Sequence, residues 1–149
     1  MNRGLGILLV AIALPATSAV TWAANQLTVS TTAVPSMNVN SATAGSQPNP
    51  VNNSTTTYGV QTNAGTTQRI VGRLNSSQAG ITVQCQLTPP PGASGQGLVS
   101  LTMSDQNLVT GIPGGTNASG LTITYVVTAT VSAAPQTWAP QVTFSLLNP

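Results

Sequence analysis

Residues 121–131 read LTITYVVTATV, and this run decides the fold. Leu121, Ile123, Tyr125, Val127, Ala129 and Val131 fall on one side of a two-residue period; Thr122, Thr124, Val126, Thr128 and Thr130 fall on the other. Successive side chains of a β-strand point to opposite faces, so such a run is a strand with an apolar core face and a face for solvent or a partner. A helix would scatter the same residues around its whole circumference.

The pattern recurs outward from this strand. On its C-terminal side AAPQTWAP (133–140) holds two prolines that end one strand and start the next, and QVTFSLL (141–147) then turns Val142, Phe144 and Leu146 inward. On its N-terminal side strands are expected at 55–63 (TTTYGVQTN), 68–74 (QRIVGRL), 81–87 (ITVQCQL), 97–103 (GLVSLTM) and, shorter, at 107–110. Ala64-Gly65-Thr66, Asn75-Ser76-Ser77, Pro89-Pro90-Pro91-Gly92 and Pro113-Gly114-Gly115 supply turn chemistry between them. No segment after residue 24 has a sustained helical period with caps. The expectation is an all-β chain: a single immunoglobulin-like β-sandwich of about seven or eight strands with an N-terminal extension strand. The cysteine and tryptophan landmarks of antibody domains are missing, so the likeness is to the architecture alone.

Three segments are expected. Residues 1–23 read as a secretory signal peptide, with a cationic start at Arg3, an apolar run from Leu5 to Leu14 and a small-residue tract ending at Ala23. That run is too short to cross a bilayer, which takes about 20 residues, so no membrane attachment is expected after processing. Residues 24–51 read as an N-terminal strand and tether: NQLTVSTTAV alternates Leu27, Val29, Thr31 and Ala33, and a polar stretch leads to Pro48-Asn49-Pro50. Residues 52–149 form the sandwich. A short alternating strand joined flexibly to a sandwich is what strand donation to a neighbouring subunit requires, because main-chain hydrogen bonds give affinity and alternate side chains fill pockets. Pairing of the same strand within its own domain is the competing expectation.

Composition narrows the chemistry. Of 149 residues 40% are hydrophobic, 3% charged and 3% aromatic, with no histidine, where an ordinary domain is about 25% charged. Beyond the signal peptide the charged side chains are Arg69, Arg73 and Asp105. A catalytic site normally needs an acid, a base or a metal cage, so neither an enzyme, nor a metal site, nor a cofactor is expected. Neutralising phosphates needs a cation for each, which argues against nucleic acid as a partner. Cys85 is the single cysteine, so no disulfide forms within the chain, and its place between Val83 and Leu87 makes it a small core residue.

The remaining candidates are contacts and modifications. Arg69 and Arg73 share a strand face with Val71, and Asp105 is a pairing candidate for either; the trio reads as a subunit contact or as an ordinary surface pair. Trp138, between prolines, is the exposed-aromatic candidate for a contact. Asn52, Asn53, Asn75 and Asn117 each begin an N-x-Ser/Thr sequon in an expected loop and are candidate glycan carriers, although a chain this rich in Asn, Ser and Thr produces such triplets by chance.

The signal peptide, the Thr-rich and charge-poor mature chain, the alternating NQLTVSTTAV and the terminal QVTFSLL together resemble secreted fibre-forming sandwich proteins, namely chaperone-usher pilins and camelysin-like biofilm fibre subunits. The likeness is general, without a family-specific motif, and a lone Cys85 departs from the internal disulfide usual in chaperone-usher pilins. It implies a homo-polymer: the structural subunit of an extracellular pilus-like filament or cell-surface fibre, joined by donor strand complementation through Leu27, Val29, Thr31 and Ala33. A near-neutral surface suits that use, because nothing electrostatic keeps copies apart. The alternative is a monomeric secreted or surface-bound module that holds a glycan or protein ligand in its loops.

Overall fold

The computed structural model describes residues 25–41, 43–63, 65–133 and 138–149. The expected signal peptide over 1–23, and Pro135 of the last linker, lie outside the described residues. Nine strands follow one another without a helix among the described residues: β1 (Gln26–Val29), β2 (Val51–Gln61), β3 (Gln68–Leu74), β4 (Ile81–Leu87), β5 (Ser94–Gly95), β6 (Val99–Ser100), β7 (Gln106–Ile112), β8 (Asn117–Ala129) and β9 (Val142–Leu147). They form two antiparallel sheets, one ordered β1-β2-β8-β4-β6 and the other β5-β7-β3-β9. The all-β sandwich expected from the alternation is the fold.

The alternating faces decide how the sheets meet. Ile123 and Tyr125 from β8, Val83, Cys85 and Leu87 from β4, and Tyr58 and Val60 from β2 turn inward from the first sheet. Ile70 and Leu74 from β3, Leu108 and Ile112 from β7, and Val142 from β9 meet them from the second. Burying a side chain of this size stabilises the fold by roughly 1.5–3 kcal/mol. Cys85 is fully buried and lies opposite Tyr125 in the β4–β8 ladder, as a packing residue. Gly72 on β3 leaves room for its neighbours: a Cβ there would stand 2.7 Å from Leu108 Cδ1 and 3.4 Å from the Phe144 ring.

Several boundaries differ from the expectation, each for a physical reason. The strand through residues 121–131 begins earlier, at Asn117, and ends at Ala129. Its extra residues, NASG, have turn chemistry, yet they pair with Val60 and Gln61 across a bulge in which Gly120 takes φ 68°. Val131 is therefore not a core residue: Thr130 N–H bonds Gly80 O at 2.7 Å to close a turn, and Val131 is 71% exposed just beyond it. The strand expected at 97–103 shrinks to Val99–Ser100 on the edge of β4. Leu101 still donates to Val83 O of the first sheet, but Thr102 O accepts from Leu74 of the second, so the chain crosses between sheets there and Leu101 plugs the gap, 5% exposed.

Candidate functional site

With so few ionisable groups, the sheet edges are the candidate site. Two edges flank one side of the sandwich, β1 on the first sheet and β9 on the second. β1 pairs antiparallel with β2 of its own chain, Gln26 opposite Gln61 through Val29 opposite Tyr58. Ser30 N–H extends the ladder to Thr57 O at 2.9 Å, and Thr57 N–H donates to Ser30 Oγ at 3.0 Å. The chain then leaves this sheet for the other: Val142 donates to Thr32 O at 2.8 Å and Val34 to Pro140 O at 3.1 Å, with Ala33 opposite Gln141.

The sequence explains why the segment changes sheets. Leu27 and Val29 occupy odd positions, whereas the next inward residue is Val34, at an even one. Shifting the phase of an alternation by one residue sends the whole apolar set to the opposite face. Had the segment continued along β9 in the register of Ala33 and Gln141, Thr28 and Ser30 would face the core and Leu27 and Val29 would face water. Crossing to β2 restores Leu27 and Val29 to the inside.

Of the strand's candidate positions, Leu27 and Val29 are half-buried against the core, and Thr31 and Ala33 are exposed. A single alternation through Ala33 is therefore not realised; the sheet crossing interrupts it after Val29. On the facing edge Phe144 and Leu146 are also only half-buried, although they share the inward face of Val142. The side between β1 and β9 thus has an apolar lining that the described residues cover incompletely.

The other candidates are scattered. Arg73 Nε lies 3.8 Å from Asp105 Oδ1, with the two side chains 53% and 48% exposed, so solvent screens the pair. Arg69 stands on the same strand, apart from Asp105, and its Nε is buried without a hydrogen-bond partner. Trp138 is half-buried rather than an exposed contact: its ring packs against the core and its Nε1 donates to Ser76 Oγ at 3.2 Å. Not every sequon lies in a loop. Asn52 and Asn53 are in β2 and Asn117 opens β8, because polar strand positions at a sheet margin tolerate Asn; Asn75 alone follows its strand into a loop. Asn75 Oδ1 is engaged by Gln141 N–H at 2.9 Å, and Asn53 Oδ1 by Thr55 N–H at 2.9 Å.

Burial also sets the chemistry of the titratable core. It pushes the Cys85 thiol up to about 12 from 9.0 and the Tyr58 hydroxyl up to about 12 from 10.0. Tyr125 is raised as well, first by burial and second by the neighbouring Cys85. At neutral pH the thiol is therefore protonated, and a thiolate is what nucleophilic attack needs. A shallow groove of about 110 Å³ crosses the outer face where Gly59 leaves a dent between Thr28 and Ala118. No helix among the described residues is long and apolar enough to cross a membrane. No protein-family model matches this chain, and no curated protein or solved structure matches it either.

Proposed function

We propose that this protein is a secreted structural subunit of an extracellular, pilus-like filament on the cell surface, built by exchange of the N-terminal strand between neighbouring copies. The observation that carries this proposal is the position of β1: four residues at the outermost place of a sheet, hydrogen-bonded on one side only and contributing two half-buried side chains. Such a strand can leave its groove on β2 and be replaced by the same strand of a neighbour with no change in the contacts made, which is domain swapping in its simplest form. The chain carried to the neighbour is the polar stretch 35–50, long enough to act as a hinge. The near-neutral composition supports the same use, since a stacked polymer would otherwise have to pair or desolvate each charge at a contact.

One observation favours the second reading, a monomeric secreted module that binds a glycan or protein through its loops: β1 already fills the β2 edge within its own chain. The two are separated by Val29→Asp, made in the processed full-length chain. Placing a carboxylate where Val29 meets the core weakens strand docking without touching the loops. The filament proposal expects sheared cell-surface fibres, seen by electron microscopy, to disappear while the purified subunit remains folded by circular dichroism. Fibres of normal length from the variant, or no fibres from the parent chain, overturn it.

A further inference from the structure

Strand β9 offers a second, independent contact. In an antiparallel ladder successive residues turn their backbone N–H and C=O alternately to one neighbour and to the other. Val142 turns away from β3, since its N–H goes to Thr32 O, and Leu74, opposite it on β3, turns the other way, to Thr102 O. Carried along the strand, this phase directs Thr143, Ser145 and Leu147 toward β3, and Phe144 and Leu146 toward the free edge. Among the described residues nothing bonds that edge from Thr143 to Leu147, because the N-terminal segment stays on β2 as far as Ser30 and joins the β9 side only at Thr32.

This edge also lacks the usual protection. Natural edge strands are blunted by charged side chains, prolines, bulges or brevity. On the other side of the molecule the edges are the two-residue strands β5 and β6. β9 is six residues long, pairs with β3 without a bulge, and between Thr143 and Leu147 carries neither proline nor charge. Its inward side chains Phe144 and Leu146 are those left half-covered.

We propose that the edge Thr143–Leu147 pairs with the same edge of a second copy of this chain, antiparallel, about a two-fold axis through Ser145. What the edge presents is unpaired backbone, so its occupant is an extended strand, and self-pairing satisfies it. Outward-turned residues meet outward-turned residues: Phe144 faces Leu146 of the second copy and Leu146 faces its Phe144, exchanging about four hydrogen bonds. All of these side chains lie on one face, where each pair covers the other's exposed apolar surface. No charge on the edge repels the approach. The nearest cations, Arg69 and Arg73, are one strand further in, which sets those of the two copies roughly 14 Å apart, beyond the screening length of about 8 Å at physiological salt. An edge of this length buries far less than the roughly 1,200 Å² of a stable complex. The pairing is therefore reversible and driven by concentration, as between copies crowded in an assembly.

The register makes the test specific. In the processed full-length chain, Ser145→Cys places two thiols opposite each other with Cα atoms about 4.5 Å apart, inside the range a disulfide spans. Thr143→Cys places its two thiols roughly 14 Å apart, whereas an equal mixture of Thr143→Cys and Leu147→Cys brings a thiol from each variant together. Mild oxidation of concentrated protein is expected to give a disulfide dimer with Ser145→Cys, little with Thr143→Cys alone, and a mixed dimer with the mixture. Ser145→Lys is expected to weaken self-association at least tenfold in sedimentation equilibrium, and mixing it with Ser145→Glu to restore it. Cross-linking of Ser145→Cys no faster than Thr143→Cys, or association unchanged by Ser145→Lys, overturns the proposal. Exchange of β1 does not involve this edge and would survive Ser145→Lys, so the two contacts fail separately.

Discussion

The sandwich has two sides where its sheets part, and the chain treats them differently. On one side the sheets end in β5 and β6, and Leu101, carried by the crossing from Val83 to Thr102, is buried to 5% exposure in the gap. On the other the sheets end in β1 and β9, and the crossing at Thr32–Val34 leaves Leu27, Val29, Phe144 and Leu146 half-covered. Both sides are bridged by chain that changes sheets. They differ in whether a large side chain enters the gap at the crossing and in how much strand edge remains unpaired. The second side is the one on which both proposals act, the pairing of β9 with a second copy and the exchange of β1.

The sharpest way to break this contrast is to truncate one residue on each side. Leu101→Ala is expected to destabilise the fold by about 2–5 kcal/mol, since a buried leucine loses its transfer energy and leaves a cavity. Leu27→Ala removes a side chain that is already half in water, so its cost is expected to be about 1 kcal/mol. Urea denaturation of both variants measures the difference directly. Equal costs would mean that β1 is as firmly docked as the closed side, and strand exchange would then face a much higher barrier.

The core common to both sides sets the next effect, an alkaline transition. Cys85 and Tyr58 are both raised to about 12 by burial. Their unfolded counterparts lose protons at lower pH, so above an unfolded thiol's range the folded chain holds protons that the unfolded chain has released. This contribution is present in full below about pH 9 and is lost as pH rises toward 12, at roughly 1 kcal/mol per pH unit for a group ionised only when unfolded. Stability measured by urea denaturation is expected to be flat from about pH 5 to 8 and to fall above pH 9. Cys85→Ala is expected to move the onset upward, into the range of the tyrosines. An onset unchanged by Cys85→Ala would show that the thiol is reached by solvent.

Much of this arrangement was legible in the sequence. The strands at 68–74 and 81–87 coincide with β3 and β4: in β4 the apolar positions alternate without interruption, in β3 Ile70 and Leu74 share one face and Arg69 and Arg73 the other, and both runs end at turn residues. Strand β1 had its sequence signal in Leu27 and Val29, whereas the crossing after Val29 had only a faint one. The phase shift from Val29 to Val34 was the available mark, hidden because Thr31 and Ala33 are small enough to suit either face. The overread strand at 97–103 fails for a related reason: Leu101 and Met103 continue the alternation, yet one fills a gap between sheets and the other is 62% exposed. Periodicity reports which residues are apolar in phase; it does not report which sheet receives them. Trp138 was misplaced because its prolines suggest a loop, and a loop that packs its ring on the core has the same sequence.

The smallest effect concerns the ion pair on the outer face of the second sheet. Arg73 and Asp105 meet at 3.8 Å with about half of each side chain in water. Coulomb attraction is weak under such screening, and holding two side chains in one geometry costs entropy. Arg73→Ala and Asp105→Asn are each expected to change stability by less than about 0.5 kcal/mol, with a coupling in the double variant of similar size. Raising salt should erase the coupling, because exposed charges are screened within several ångströms at high ionic strength. A coupling that exceeds 1 kcal/mol and persists in salt would mean the pair is covered in solution, as it would be at a contact between copies. A coupling that rises between low and high protein concentration would place this face, beside β9, in a contact between copies, and one that does not change would exclude it.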